Sequence, residues 1–98
     1  MAAELTRAGG VTDEACAVAL LHTRGLAPRS WGNAPGDTYD RHAHSYHKVL
    51  YCIAGSITFH TPEGDVAVAA GDRLDITPGT PHAATVGATG VRCVEGGA

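Results

Sequence analysis

The stretch Gly36-Asp37-Thr38-Tyr39-Asp40-Arg41-His42-Ala43-His44-Ser45-Tyr46-His47-Lys48 decides how this chain is read. It sets two imidazoles, His42 and His44, at i and i+2. In a β-strand, side chains two residues apart share a face and stand about 6.6 Å apart along the strand. Two imidazoles so placed can converge on one ion, whereas helical spacing would aim them in different directions. A third histidine follows in Pro78-Gly79-Thr80-Pro81-His82. Lys48 closes the stretch, a cation standing where a carboxylate would complete a metal site.

Outward from this segment the chain is rich in short β-type runs. Residues 38–46, 48–53, 56–60, 66–69, 73–76, 83–86 and 91–95 read as strands. They are separated by Ala54-Gly55, Pro62-Glu63-Gly64-Asp65, Ala70-Gly71-Asp72, Pro78-Gly79 and 87–90. Short strands this evenly punctuated imply an antiparallel sandwich or barrel. Ahead of them, 11–24 reads as the one helix. Thr12 or Asp13 can cap its first amides, and Gly25 with Pro28 beyond it suits its end. Its apolar face is expected at Ala15, Val18, Ala19 and Leu21, with Val11 ahead of them, covering a sheet face or edge. The first ten residues read as a loosely held arm. The domain organisation is therefore an arm and helix over 1–30 and a barrel over 31–98, one domain overall.

Ninety-eight residues allow one small domain, for which a partner subunit is a plausible source of extra stability. The net charge of −3, with seven scattered Lys and Arg, argues against a nucleic-acid surface. The longest apolar run, 15–21, is far short of the ~20 residues that span a bilayer. No signal-peptide pattern is visible, so a cytoplasmic protein is expected. Three cysteines form neither a CxxC pair nor a disulfide framework, and reduced thiols fit that setting.

Two motifs now carry a family resemblance. Gly36, five residues, His42-x-His44, three residues, Lys48, six residues and Gly55 resemble the first cupin motif at every position except Lys48, where cupins carry a glutamate. Gly71 to His82 resembles the second, with Gly71, Gly79 and His82 at the family's spacing and Thr77 in place of the usual proline. Fifteen residues separate Gly55 from Gly71, the short distance seen in small microbial cupins. The resemblance runs from about Trp31 to Glu95. It implies an all-β, antiparallel double-stranded β-helix, the jelly-roll barrel of the RmlC-like cupins, carrying one N-terminal α-helix. It also implies a metal held inside by His42, His44 and His82. Homodimers are common in the family, and one is expected here.

The fourth ligand position falls on Lys48, whose ammonium has no lone pair to give. Three outcomes follow. Three histidines alone could hold the ion and leave positions open. His47 could enter through a bulge as a fourth nitrogen ligand, although alternation points it away from His42 and His44. Or the metal is lost, and Lys48 holds an anion or a buried carboxylate. Imidazole donors favour a divalent transition metal, Zn, Fe, Ni, Cu, Co or Mn, over Mg or Ca. Lys48 is a candidate proton acceptor beside the ion, or a structural partner of Asp40, Asp75 or Glu95. Tyr46, of ligand parity, is the best candidate for a hydroxyl reaching the pocket. His22 and His60 read as surface residues, and Cys52 and Cys93 as small buried hydrophobes.

The expected function is a small metal-binding cupin that takes a small organic molecule into the barrel and acts as a dioxygenase-type oxidoreductase. The alternative is a non-catalytic cupin that senses a small molecule or anion and has lost its metal. The partner is a small-molecule ligand, with no nucleic acid and no membrane.

Overall fold

The computed structural model describes residues 3–11 and 13–97, and of residues 8–10 only the backbone. Seven strands and one helix follow in the order β1 (Ala3–Val11), α1 (Glu14–Thr23), β2 (Arg29–Asn33), β3 (Thr38–His42), β4 (Lys48–Thr61), β5 (Gly64–Ala69), β6 (Gly71–Ile76) and β7 (His82–Gly97). Every pairing is antiparallel.

Two long strands organise the rest. The first half of β4 lies between β6 and the second half of β7, and β1 and β2 extend this layer on either side. The second half of β4 pairs with β5 and with the first half of β7, which β3 flanks. β4 and β7 thus belong to both layers of a jelly roll and bend from one to the other. The bend falls at register shifts between Cys52 and Ala54 and between Gly55 and Ile57. Gly55 has φ +73° there, and a Cβ on it would stand 1.9 Å from the Gly90 carbonyl oxygen. Only glycine allows both that backbone and that approach.

The pattern of β4 explains the two apolar layers. Leu50 and Cys52 point into the barrel with Ile57, Phe59, Leu74, Val86 and Cys93. Val49, Tyr51 and Val94 point outward and are covered by Ala17, Leu21 and Leu26. Both faces of this strand are buried, which is why it reads as an unbroken apolar run. α1 therefore covers a sheet face, as expected, although its buried positions are Ala17 and Leu21, while Ala15 and Ala19 are exposed.

The ends of α1 are set locally. Asp13 accepts a hydrogen bond from the Cys16 amide at 2.7 Å and caps the helix. Thr12 lies outside the described residues. At the other end Leu26 N donates to Leu21 O and Gly25 N to His22 O, while Leu26 and Leu21 pack together. That is the glycine-ended arrangement expected at Gly25.

Five expectations need correction. The first residues are not a loose arm: β1 pairs with β6 through Ala3, Leu5 and their neighbours. Val11 closes β1 rather than opening the helix. β2 is a strand where none is expected, and the runs at 48–53 and 56–60, and at 83–86 and 91–95, are single bent strands. Finally, β3 stops at His42. No helix among the described residues is long and apolar enough to cross a membrane.

Candidate metal centre

His42 ends β3 and His82 begins β7, and the two are cross-strand partners. Register alone therefore brings these rings together, with centroids 4.4 Å apart. His44 arrives differently. It lies beyond the end of β3, so strict alternation does not place it. Its carbonyl oxygen instead accepts from Gly79 N at 2.7 Å, tying this segment to the turn before His82. Its ring then stands 4.8 Å from that of His42 and 5.1 Å from that of His82. One nitrogen from each of the three rings lies within 4.8 Å of the others.

The hydrogen bonds of these rings leave ring nitrogens able to coordinate an ion. Asp40 O lies 2.7 Å from His42 Nδ1, and Thr80 O lies 3.0 Å from His82 Nδ1. A carbonyl can only accept, so each Nδ1 carries the proton and each Nε2 keeps its lone pair. His82 Nε2 and both His44 nitrogens are buried and have no hydrogen-bond partner among the described residues. Burying such atoms without a partner is costly, by about 1–3 kcal/mol for a neutral group. An ion shared by the three rings would satisfy them, so the residues present fit a divalent transition metal. The proton affinities agree. Burial lowers the pKa of His44 and of His82, and Lys48 and the neighbouring imidazoles lower both further, against the opposing effects of Thr80 on His82 and of Glu95 on His44. Both rings are thus kept neutral, the form that coordinates.

The cavity beside them measures about 200 Å³. Its apolar wall comes from Trp31, Ile57, Phe59 and Ala84, and its polar part from Arg29, Lys48 and Glu95. Lys48 Nζ lies 3.0 Å from Glu95 Oε1, with both side chains about nine-tenths buried. Trp31 Nε1–H donates to the same oxygen at 2.7 Å. Of the three partners weighed for Lys48, Glu95 is the one it takes. Tyr46 sits at the mouth with its ring edge-on to His44 at 4.9 Å. It also packs over Gly97, where any Cβ would meet the ring at 2.6 Å.

Other candidates go elsewhere. The structure does not bring His47 to the cluster; its Nε2 meets Asp75 at 3.0 Å. There burial alone would raise the Asp75 carboxyl, but Arg73 and His47 outweigh it and hold it below the usual range. His60 is held between Asp65 and Thr85, and His22 is exposed on α1. Cys52 and Cys93 face each other across β4 and β7, fully buried. Sequence reasoning did not place Arg29 or Trp31 at the site. Their signal was the i, i+2 spacing within an unrecognised β2.

With this geometry in hand, the cupin domain profile matches residues 31–94. The chain belongs to the cupin family. The match opens at Trp31, where the motif resemblance also begins. Several solved structures share its fold. An RmlC-like cupin from Shewanella frigidimarina NCIMB 400 superposes with a TM-score of 0.65 at 22% identity, covering 74% of this chain and 64% of that one. The polyketide cyclase RemF from Streptomyces resistomycificus gives 0.66 at 20% identity, over 74% and 54% of the two chains. The DMSP lyase DddQ from Ruegeria pomeroyi DSS-3 gives 0.68 at 20%, over 74% and 37%. At these identities the likeness is one of fold, and this cupin aligns with less than two-thirds of each of those chains. No curated protein matches it in sequence.

Proposed function

We propose that this cupin holds a divalent transition metal on His42, His44 and His82 and binds a small organic molecule in the adjoining cavity. One observation carries the reading: three imidazoles converge with His82 Nε2 and both His44 nitrogens buried and unpartnered, while two of the rings have Nδ1 committed to backbone carbonyls. Zn, Fe, Ni, Cu or Mn suits such a nitrogen set. Bound there, the ion would supply a Lewis acid with open positions for substrate oxygen. The chain's own residues do the rest. Asp40 and Thr80 orient two ligands, Ile57 and Phe59 keep water from one wall, and Lys48, fixed by Glu95, offers an ammonium donor. Tyr46 offers a phenol at the mouth. We assign this arrangement to metal-dependent, dioxygenase-type chemistry, a choice that rests on the open positions, since the fold also serves a cyclase and a lyase.

Metal analysis of tag-free protein tests the reading. We expect one transition metal per chain, lost in His82→Ala. If no stoichiometric metal is found and titration restores none, the metal reading fails. A second reading, a metal-free cupin that binds a small anion, draws on Lys48, which puts an ammonium where the family places a carboxylate. It predicts ligand binding undisturbed by a chelator.

A further inference from the structure

The charges lining the cavity do not balance. Glu95 is its carboxylate, and Lys48 already neutralises it at 3.0 Å. Arg29 is left over. On β2 it stands two residues before Trp31, and so on the face that meets Glu95 and the cavity. Its guanidinium makes no ion pair or hydrogen bond with any described residue, although Glu95 is its cross-strand neighbour; Lys48 and Trp31 both meet Oε1 of that carboxylate. The cavity lining thus includes an exposed, planar, two-pronged donor with no partner among the described residues, and it carries a surplus positive charge, which a divalent ion on the histidines would increase.

Opposite charge and shape follow from this. A guanidinium meets a carboxylate through two parallel hydrogen bonds, a match no neutral oxygen offers. The apolar part of the lining is formed by Trp31, Ile57, Phe59 and Ala84. The volume of about 200 Å³ is below the roughly 300–1,000 Å³ of drug-sized sites. We infer that the ligand is a small monocarboxylate with a compact apolar body, its carboxylate held by Arg29 and its body against Phe59 and Trp31. This deepens the reading of the same site as a metal-assisted small-molecule pocket and makes Arg29 its specificity-determining residue.

Benzoate and benzamide, nearly equal in shape and different in charge, test it. Binding of each is measured by calorimetry or chemical-shift titration on wild type and Arg29→Gln, zinc-loaded and chelator-treated, with zinc content assayed in every sample. Benzoate should bind wild type at least tenfold more tightly than benzamide, and Arg29→Gln should lose most of that preference while keeping its zinc. The preference should also shrink as salt is raised, as a charge-based contact requires. Equal binding of the two probes, no binding of either at millimolar concentration, or a preference unchanged in Arg29→Gln overturns the inference. The zinc assay keeps the two readings apart. Zinc uptake without discrimination defeats only the carboxylate proposal, while discrimination by Arg29 in a protein that takes up no zinc defeats only the metal.

Discussion

Neutral histidines at the heart of the cavity make the stability of this cupin depend on pH in a definite direction. In the unfolded chain His44 and His82 take up protons near pH 6.5, and in the folded chain only at lower pH. Between those values the unfolded state binds more protons, so stability falls as pH falls. Denaturant midpoints of the chelated protein should therefore decline from about pH 7.5 to about pH 5.5, and more gently in His82→Gln. A flat profile would show that these rings are not held neutral. Asp75 is shifted in the same direction and acts in a lower window: its contribution is present above the unfolded value of 3.8 and lost as pH falls further. The pair Lys48–Glu95 is a separate matter. Removing one partner of a buried pair costs about 3–5 kcal/mol, because it strands the other charge. Lys48→Met should cost about that much, and adding Glu95→Gln should recover most of it. A double variant no more stable than the single one would mean that the two side chains do not compensate each other.

At the scale of elements, α1 covers the outer face of the sheet, and none of its residues lines the cavity. Leu21→Ala should cost about 2–5 kcal/mol in stability and leave metal stoichiometry unchanged. A loss of metal in that variant would mean that the helix supports the site. The same division marks what was legible in the sequence. Strands after Thr38 announced themselves by alternation between Gly and Pro breaks, and Gly25 marked the helix end. β1 did not, because Ala8-Gly9-Gly10 dilutes the alternation of Ala3, Glu4, Leu5 and Thr6. β2 is five residues of mixed polarity between two prolines, and its pairing with β7 is what makes it a strand. The clustering of His42, His44 and His82 was legible because motif spacing records it. The partner of Lys48 was open among three carboxylates, since cross-strand neighbours far apart in sequence leave no local trace. His44 reaches the triad by a tied loop that no periodicity describes.

Taken whole, the molecule is two β layers sharing two strands, with His42 and His82 on paired strands of one layer and His44 on the loop that leads into β4. An ion bound at a hundred times its dissociation constant adds about 2.7 kcal/mol to folding. For a domain this size that corresponds to a rise in Tm of roughly 10–20 °C. Zinc should raise the melting temperature by that order, a chelator should reverse the effect, and His82→Ala should show none. A shift retained in His82→Ala would place the ion elsewhere. The register pairing of His42 with His82 also has a consequence in time. β7 must find β2, β3 and β4, all distant in sequence, and sheets built from such non-local contacts fold in about milliseconds to seconds rather than microseconds. The triad cannot exist before that docking, and neither can the environment of Trp31, whose cross-strand partner Cys93 lies on the same strand. Cobalt absorbance and tryptophan fluorescence should then rise with one rate constant during refolding, because the late arrival of β7 is the common event that turns a collapsed chain into a binding protein.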